Sequence, residues 1–257
     1  MSKIKVTFLG TGTSMGVPVI GCKCETCLSA DPKDKRLRTS ILIQHGQKNI
    51  VIDSGPDFRQ QMLTHDVESL AALIFTHEHK DHTAGTDDVR AFNFIQQKPI
   101  TIWASDRVEA ALRKEFHYAF AEIKYPGVPE IRFKRITDEP FEIDGLKFIP
   151  LPVLHHKLPV YGFRIGAFVY ITDANQIPYG TLDKIQDAEV LVLNALRKTS
   201  HISHFTLDEA VEIAQRVEAK QTYLLHISHQ MGKHAAVDME LPAGISLAYD
   251  GLEIEVD

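Results

Sequence analysis

Three cysteines and thirteen histidines are where chemistry concentrates in this chain of 257 residues. The densest stretch is His77-Glu78-His79-Lys80-Asp81-His82. In an extended backbone, residues two apart point to the same face, so His77 and His79 can grip one metal together. As the chain turns, Asp81 and His82 present a carboxylate and an imidazole to a second ion. Such a cluster is costly to pack without a metal or water to satisfy it. The bland alternative is a solvated loop that is rich in histidine. All three cysteines lie within Cys22-Lys23-Cys24-Glu25-Thr26-Cys27. An odd number packed this tightly is a poor disulfide framework, whereas thiolates so placed can converge on one metal. Buried small hydrophobes or a redox cluster are the other readings of the trio.

Two ions need further ligands, and candidates stand at the ends of predicted strands. His155 and His156 follow Leu151-Pro152-Val153-Leu154, Asp173 ends Phe168-Val169-Tyr170-Ile171-Thr172, and His226 ends Thr222-Tyr223-Leu224-Leu225. Each alone is unremarkable; the shared context makes them ligand candidates. Asp53, ending Val51-Ile52, reads either as support for a ligand histidine or as a strand-end turn. Gly10-Thr11-Gly12 is too short to read as a phosphate loop.

The elements that must position these residues are mixed. Lys3 to Leu9 predicts a first strand, Ser40 to Gln44 with Asn49 to Asp53 a hairpin, and Leu70 to Thr76 a buried strand that delivers the chain to His77. Arg107 to Ala121 predicts a helix. Phe141 to Leu151, Tyr161 to Ile165, Ala167 to Thr172, Ala188 to Leu193 and Thr222 to Ile227 predict strands. Thr206 to Glu218 predicts a helix that opens on a capping box, Thr206 with Glu209. Ile245 to Val256 predicts a closing hairpin through Asp250-Gly251. The charged stretch from Asp31 to Arg38 reads as a solvated loop, and residues 86 to 140 offer no motif. No repeat or linker interrupts the pattern, so the expectation is one α/β domain over residues 1–257, two sheets with outer helices.

Composition excludes several classes. With 44% hydrophobic and 24% charged residues the chain is neither disordered nor low-complexity. Lys plus Arg is 28 and Asp plus Glu 34, a net charge of −6, which speaks against nonspecific nucleic-acid binding. No apolar run reaches the ~18 residues of a membrane span. The opening Met1-Ser2-Lys3-Ile4-Lys5 has no leader-like core, so a cytoplasmic location is expected.

The run Thr76 to His82 resembles the His-x-His-x-Asp-His signature of the metallo-β-lactamase superfamily of binuclear hydrolases. More narrowly, the chain resembles the phosphoribosyl cyclic phosphodiesterase family of the carbon–phosphorus lyase pathway. That likeness rests on Gly21 to Cys27, Thr76 to His82, Pro150-Leu151-Pro152 to His155, Thr172-Asp173, Ser203-His204 and His226-Ile227-Ser228-His229-Gln230. The resemblance implies an αββα sandwich of two mixed β-sheets with helices on the outer faces. It implies two divalent metal ions, manganese or zinc with iron as a further candidate. His77, His79 and His155 would hold one, Asp81, His82 and His226 the other, and Asp173 would bridge them. Cys22, Cys24, Cys27 and His229 would form a separate structural zinc site, and Cys3His is indeed a closed tetrahedral set. Counting from Pro152 favours His155 over His156, and counting back from Gly162 favours the reverse; the distance from the strand end decides for His155. Asn194 stands where an acidic residue is expected.

The implied activity is hydrolysis of a small, cyclic phosphate ester through attack by a metal-bridged hydroxide. His204 matches the family's catalytic histidine, with His201 as its rival, and Asp81 belongs to the catalytic set as well as to the ligands. The resemblance also implies a homodimer with a small-molecule phosphodiester substrate and no membrane or nucleic-acid partner. The alternative is another hydrolase of the same fold, a ribonuclease, thioesterase or lactamase. A ribonuclease of the transfer-RNA-processing kind would carry a basic arm, and no such insertion is present. A redox di-iron relative would replace the second histidine of the cluster with glutamate, and here it is His79. A scaffold retaining only structural zinc would have eroded its ligands.

Overall fold

Two stretches state the architecture. In Ile41-Leu42-Ile43 and Ile50-Val51-Ile52 every residue is apolar, so both faces of each strand must be covered. In the computed structural model, which describes residues 3–257, Ile41, Ile43, Ile50 and Ile52 face a core shared with a second sheet. Leu42 and Val51 face outward onto helices.

The strands are β1 (Ile4–Gly10), β2 (Ser40–His45), β3 (Lys48–Ile52), β4 (Ala72–Ile74), β5 (Ile100–Ala104), β6 (Ile131–Arg135), β7 (Phe141–Ile143), β8 (Leu146–His155), β9 (Leu158–Ile165), β10 (Phe168–Ile171), β11 (Val190–Asn194), β12 (Gln221–Leu225), β13 (Ile245–Leu247) and β14 (Glu253–Val256). One sheet has the order β14-β1-β2-β3-β4-β5-β6, the other β13-β12-β11-β10-β9-β8-β7. The two mirror one another: β14 to β3 and β7 to β10 are antiparallel, β3 to β6 and β10 to β13 parallel.

The helices are α1 (Glu25–Leu28), α2 (Phe58–Thr64), α3 (Lys80–Thr83), α4 (Arg90–Gln96), α5 (Asp106–Glu115), α6 (Tyr179–Lys184), α7 (Leu207–Val217) and α8 (His234–Asp238). Phe58 and Met62 of α2, Phe92 of α4, and Val108 and Leu112 of α5 cover the outer face of the first sheet. Ala210, Ala214 and Val217 of α7 and Val237 of α8 cover the second. Helices, sheet, sheet, helices: this is the αββα sandwich that the resemblance implies. No helix among the described residues is long and apolar enough to cross a membrane. Met1 and Ser2, on which the reading of the amino terminus partly rests, lie outside the described residues.

The capping box forms as expected. The Glu209 N–H donates to Thr206 Oγ1 at 3.2 Å, and the Thr206 N–H to Glu209 Oε2 at 2.8 Å. Three expectations need correction. The predicted strand from Phe141 to Leu151 breaks at Asp144-Gly145, both with positive φ, so it is the hairpin β7–β8. The closing hairpin does not exist, because β13 lies parallel beside β12 in one sheet and β14 antiparallel beside β1 in the other. Asp250 is instead recruited as a staple: its carboxylate accepts from the Thr11 N–H and hydroxyl at 2.9 and 2.7 Å and from the Leu37 N–H at 2.6 Å. The stretch from Asp31 to Arg38 is not simply solvated either. Arg36 is buried, donating to Thr11 Oγ1 and the Ala248 carbonyl and lying 3.0 Å from His234 Nδ1.

Candidate metal centre

The chemistry-bearing residues gather where strands from both sheets reach their carboxyl ends, the usual place for ligands in open α/β sheets. Asp53 follows β3, His77 lies just beyond β4, His155 ends β8, Asp173 lies just beyond β10 and His226 follows β12. Asp53, Asp173 and His226 all have left-handed backbone, with φ of 66°, 53° and 59°. Such a conformation is uncommon for residues other than glycine and costs of order 1–3 kcal/mol at each site. Three in one place mark strand ends bent to aim side chains.

The turn after β4 works in two parts. His77 and His79 lie in extended chain, with His77 Nε2 and His79 Nδ1 3.0 Å apart. At His79 the backbone enters α3, which swings Asp81 and His82 towards a second position. Ligand atoms of His77, His79 and His155 lie within 4.8 Å of one another, as do those of Asp81, His82, Asp173 and His226. Asp173 stands between the groups, its carboxylate 3.0 Å from His226 Nδ1, 3.4 Å from His82 Nε2 and 3.8 Å from His77 Nε2. A third such group, His155, Asp173 and His204, overlaps both. His156, with φ of 57°, turns away and is exposed.

The neighbours fix which nitrogen each ring offers. His155 Nδ1 donates to the Ser203 carbonyl at 2.8 Å, leaving Nε2 free. His82 Nδ1 faces Asp53 Oδ2 at 2.8 Å, and Asp53 is itself held by the Thr76 N–H and hydroxyl. Thr13 and Thr39 hydroxyls lie 3.3 and 3.2 Å from the two nitrogens of His226. Asn194 clamps the residue after Asp173, accepting from the Ala174 N–H at 2.8 Å and donating to its carbonyl at 2.9 Å. A carboxylate cannot donate, so the amide serves here where the expected acid would fail. Thr13 and Thr39 escape the sequence reading, because nothing local distinguishes them from other loop hydroxyls; Ser203 entered it only as the neighbour of His204.

Burial pushes the His77, His79 and His226 imidazoles below their ordinary range, towards the neutral form that binds metals. It pushes His204 down to about 3. Burial acts the same way on His82, but Asp173, Asp81 and Asp53 around it more than reverse the effect. Burial works to raise the Asp81 carboxyl, and the neighbouring His82 holds it below the usual carboxylate range. Three carboxylates around a buried ring whose Nε2 has no hydrogen-bond partner are a place built for positive charge. The donor set of imidazole nitrogens and carboxylate oxygens fits a pair of divalent ions.

The cysteines form a second group. Ligand atoms of Cys22, Cys24, Cys27 and His229 lie within 4.8 Å of one another, and His229 Nδ1 is 3.3 Å from Cys22 Sγ and 3.4 Å from Cys24 Sγ. Cys24 caps α1, where the Cys27 N–H and then His229 draw its thiol down to about 6. Burial pushes Cys27 up to about 11. Four soft donors so placed fit zinc.

Comparison with known proteins agrees with this picture. The profile described as a beta-lactamase superfamily domain matches residues 48–227. A solved structure, a new diphosphatase from the PhnP family, is 40% identical, covers 99% of this chain and 97% of its own, and superposes with a TM-score of 0.93. An octanoyltransferase of Porphyromonas gingivalis is 37% identical over 99% of this chain, which is 52% of that protein. A ribonuclease Z of Staphylococcus aureus is 25% identical over 64% of this chain and 50% of its own length. The chain thus spans about half the length of the curated relatives it matches. Its two mixed sheets, its clustered histidines and the matched profile place the chain in the beta-lactamase superfamily.

Proposed function

We propose that the protein is a binuclear metal-dependent phosphodiesterase that hydrolyses a small, cyclic phosphate ester of the phosphoribosyl cyclic phosphate kind. The observation that carries this reading is the position of Asp173 between the two ligand groups, 3.8 Å from His77 Nε2 and 3.4 Å from His82 Nε2, with His204 grouped with His155 and Asp173. In this reading His77, His79 and His155 would hold one ion and Asp81, His82 and His226 the other, with Asp173 placed to serve both. The ions are manganese or zinc, with iron also suited to the donors, and Cys22, Cys24, Cys27 and His229 hold a structural zinc. Residues 1–257 act as one domain, in a cytoplasmic homodimer. The solved relative that is 40% identical is a diphosphatase, and phosphorus–oxygen cleavage is what the two reactions share.

When bound, the two ions supply a water of lowered pKa and positive charge for both the attacking and the leaving oxygen. The chain does the rest. Asp81 and Asp173 neutralise the site's positive charge and orient the ligand rings. Asp53 fixes His82, and the Ser203 carbonyl fixes His155. His204, buried and with no hydrogen-bond partner at Nδ1, is placed to donate a hydrogen bond to a phosphoryl oxygen, a role that the neutral ring favoured by burial can fill.

The test is hydrolysis of bis(p-nitrophenyl) phosphate against p-nitrophenyl phosphate in added manganese, for wild type and His204→Ala. Turnover of the diester is expected, with kcat falling by about 10²–10⁴ in the variant while metal content is kept. Cyclic ribose phosphates follow as substrates. An unchanged kcat would remove His204 from the reaction; no diester turnover by the fully metallated enzyme would remove the phosphodiesterase. One observation favours a second reading, hydrolysis of an acyl thioester: the relative from Porphyromonas gingivalis is an octanoyltransferase. Turnover of octanoyl thioesters without diester turnover would favour it.

A further inference from the structure

His204 lies on a stretch that leaves β11 at Asn194 and enters α7 at Leu207, with no regular element between. Such a segment keeps a catalytic side chain in place only if something ties its backbone. One side is tied within the site, where Asn175 Nδ2 donates to the Ile202 carbonyl at 3.2 Å and His155 to that of Ser203. The other side is tied by Arg197. Its Nε donates to the Thr199 carbonyl at 3.2 Å, its Nη2 to the Ser200 carbonyl at 2.8 Å, and its Nη1 to Gln230 Oε1 at 2.7 Å. Gln230 directly follows His229, the histidine against Cys22 and Cys24. On the other side of His229, the Ser228 N–H donates to the Leu196 carbonyl at 3.0 Å, and Ser228 Oγ accepts from the Gln230 N–H.

We propose that Arg197 is a positioning residue: it couples the cysteine–histidine cluster to the backbone of the His204 segment, so that the order of the one sets the placement of the other. This rests on the reading of His204 as the catalytic histidine. All three of its donating nitrogens are engaged on backbone carbonyls and Gln230, so Arg197 acts through the segment and not on substrate. The planar guanidinium matters as much as the charge, because three acceptors in three directions are met by one rigid fork. An ammonium reaches fewer of them. Only a guanidinium bridges the two carbonyls and the glutamine at once.

The experiment compares wild type, Arg197→Met, Arg197→Lys and Gln230→Leu, each fully metallated and with zinc content measured. Two readouts are taken together: amide hydrogen exchange over residues 199–205, and kcat and KM for bis(p-nitrophenyl) phosphate. In Arg197→Met, exchange in that segment is expected to rise about tenfold or more, while α7 and β12 keep their protection. The kcat is expected to fall about 10- to 100-fold with KM changed less than about twofold, since misplacement of a group by about 1 Å costs on that scale. Gln230→Leu breaks only the tie to His229 and is expected to show the same effects, smaller, at unchanged zinc. Arg197→Lys recovers part of each. Unchanged exchange in both Arg197→Met and Gln230→Leu overturns the proposal, as does full recovery by lysine, which would reduce Arg197 to a charge. If exchange rises as expected but wild type leaves the diester intact, the phosphodiesterase reading falls and the coupling stands.

Discussion

Asp53 shows how much of this site is decided one atom away from the ligands. Its Oδ2 meets His82 Nδ1 and the Thr76 hydroxyl, and its Oδ1 the Thr76 N–H, so the carboxylate supports a candidate ligand without being one. Asp53→Asn puts an amide donor where an acceptor is needed. It is expected to weaken metal binding by about 10- to 100-fold, the range for losing such support, at nearly unchanged fold. Competition with a chromogenic chelator measures this, and wild-type affinity would contradict it. His77, His79, Asp81 and His82 were legible in the sequence because four ligand side chains crowd six positions. His155, Asp173 and His226 were legible only as strand ends, and needed the resemblance to be paired. The contacts of Thr13, Thr39 and the Ser203 carbonyl were not legible, since they join segments far apart in the chain.

Elements decide what residues alone cannot. The helix α1 is too short to persist by itself, and Cys24 serves it both as cap and as a member of the thiol cluster. Cys24→Ser is therefore expected to lose the zinc proposed for that cluster and to lower the melting temperature, both checked by metal analysis and calorimetry of the purified variant. Retained zinc at an unchanged melting temperature would separate the cysteines from structure. Most strands of the sandwich were legible from apolar alternation, and α7 from its capping box. The pairing of β13 and β14 was not, because a turn sequence such as Asp250-Gly251 is compatible with a hairpin and with a crossover alike. Which occurs depends on the free edges of β12 and β1, which no local pattern records.

The whole molecule also sets the acid–base behaviour of Asp250. Burial raises its carboxyl to about 6, against the donors from Leu37 and Thr11 and the charge of Arg36. A folded-state pKa above the unfolded one makes protonation favour folding. The contribution of Asp250 to stability is therefore fully present below about 4, the unfolded carboxyl value, and is lost as pH rises through about 6. The stability difference between wild type and Asp250→Asn, taken from urea unfolding at pH 4 to 7, is expected to move in favour of the variant as pH rises. A flat difference would show that the carboxyl keeps its ordinary pKa.

The site lies on the seam of two sheets, and that placement has a consequence for how the protein comes into being. His77, His79, Asp81 and His82 come from the end of a strand in one sheet, His155, Asp173 and His226 from strand ends in the other. Neither half alone carries both of the proposed ligand sets, so on that reading a complete site exists only after the sheets have docked. A chain that has so far paired only β1 to β6 would offer an incomplete chelate, and β14, the last strand, joins that sheet only once the second sheet's strands have been made. Metal retention thereby becomes a record of completed assembly: molecules stalled halfway are separable, by metal content alone, from those that finished.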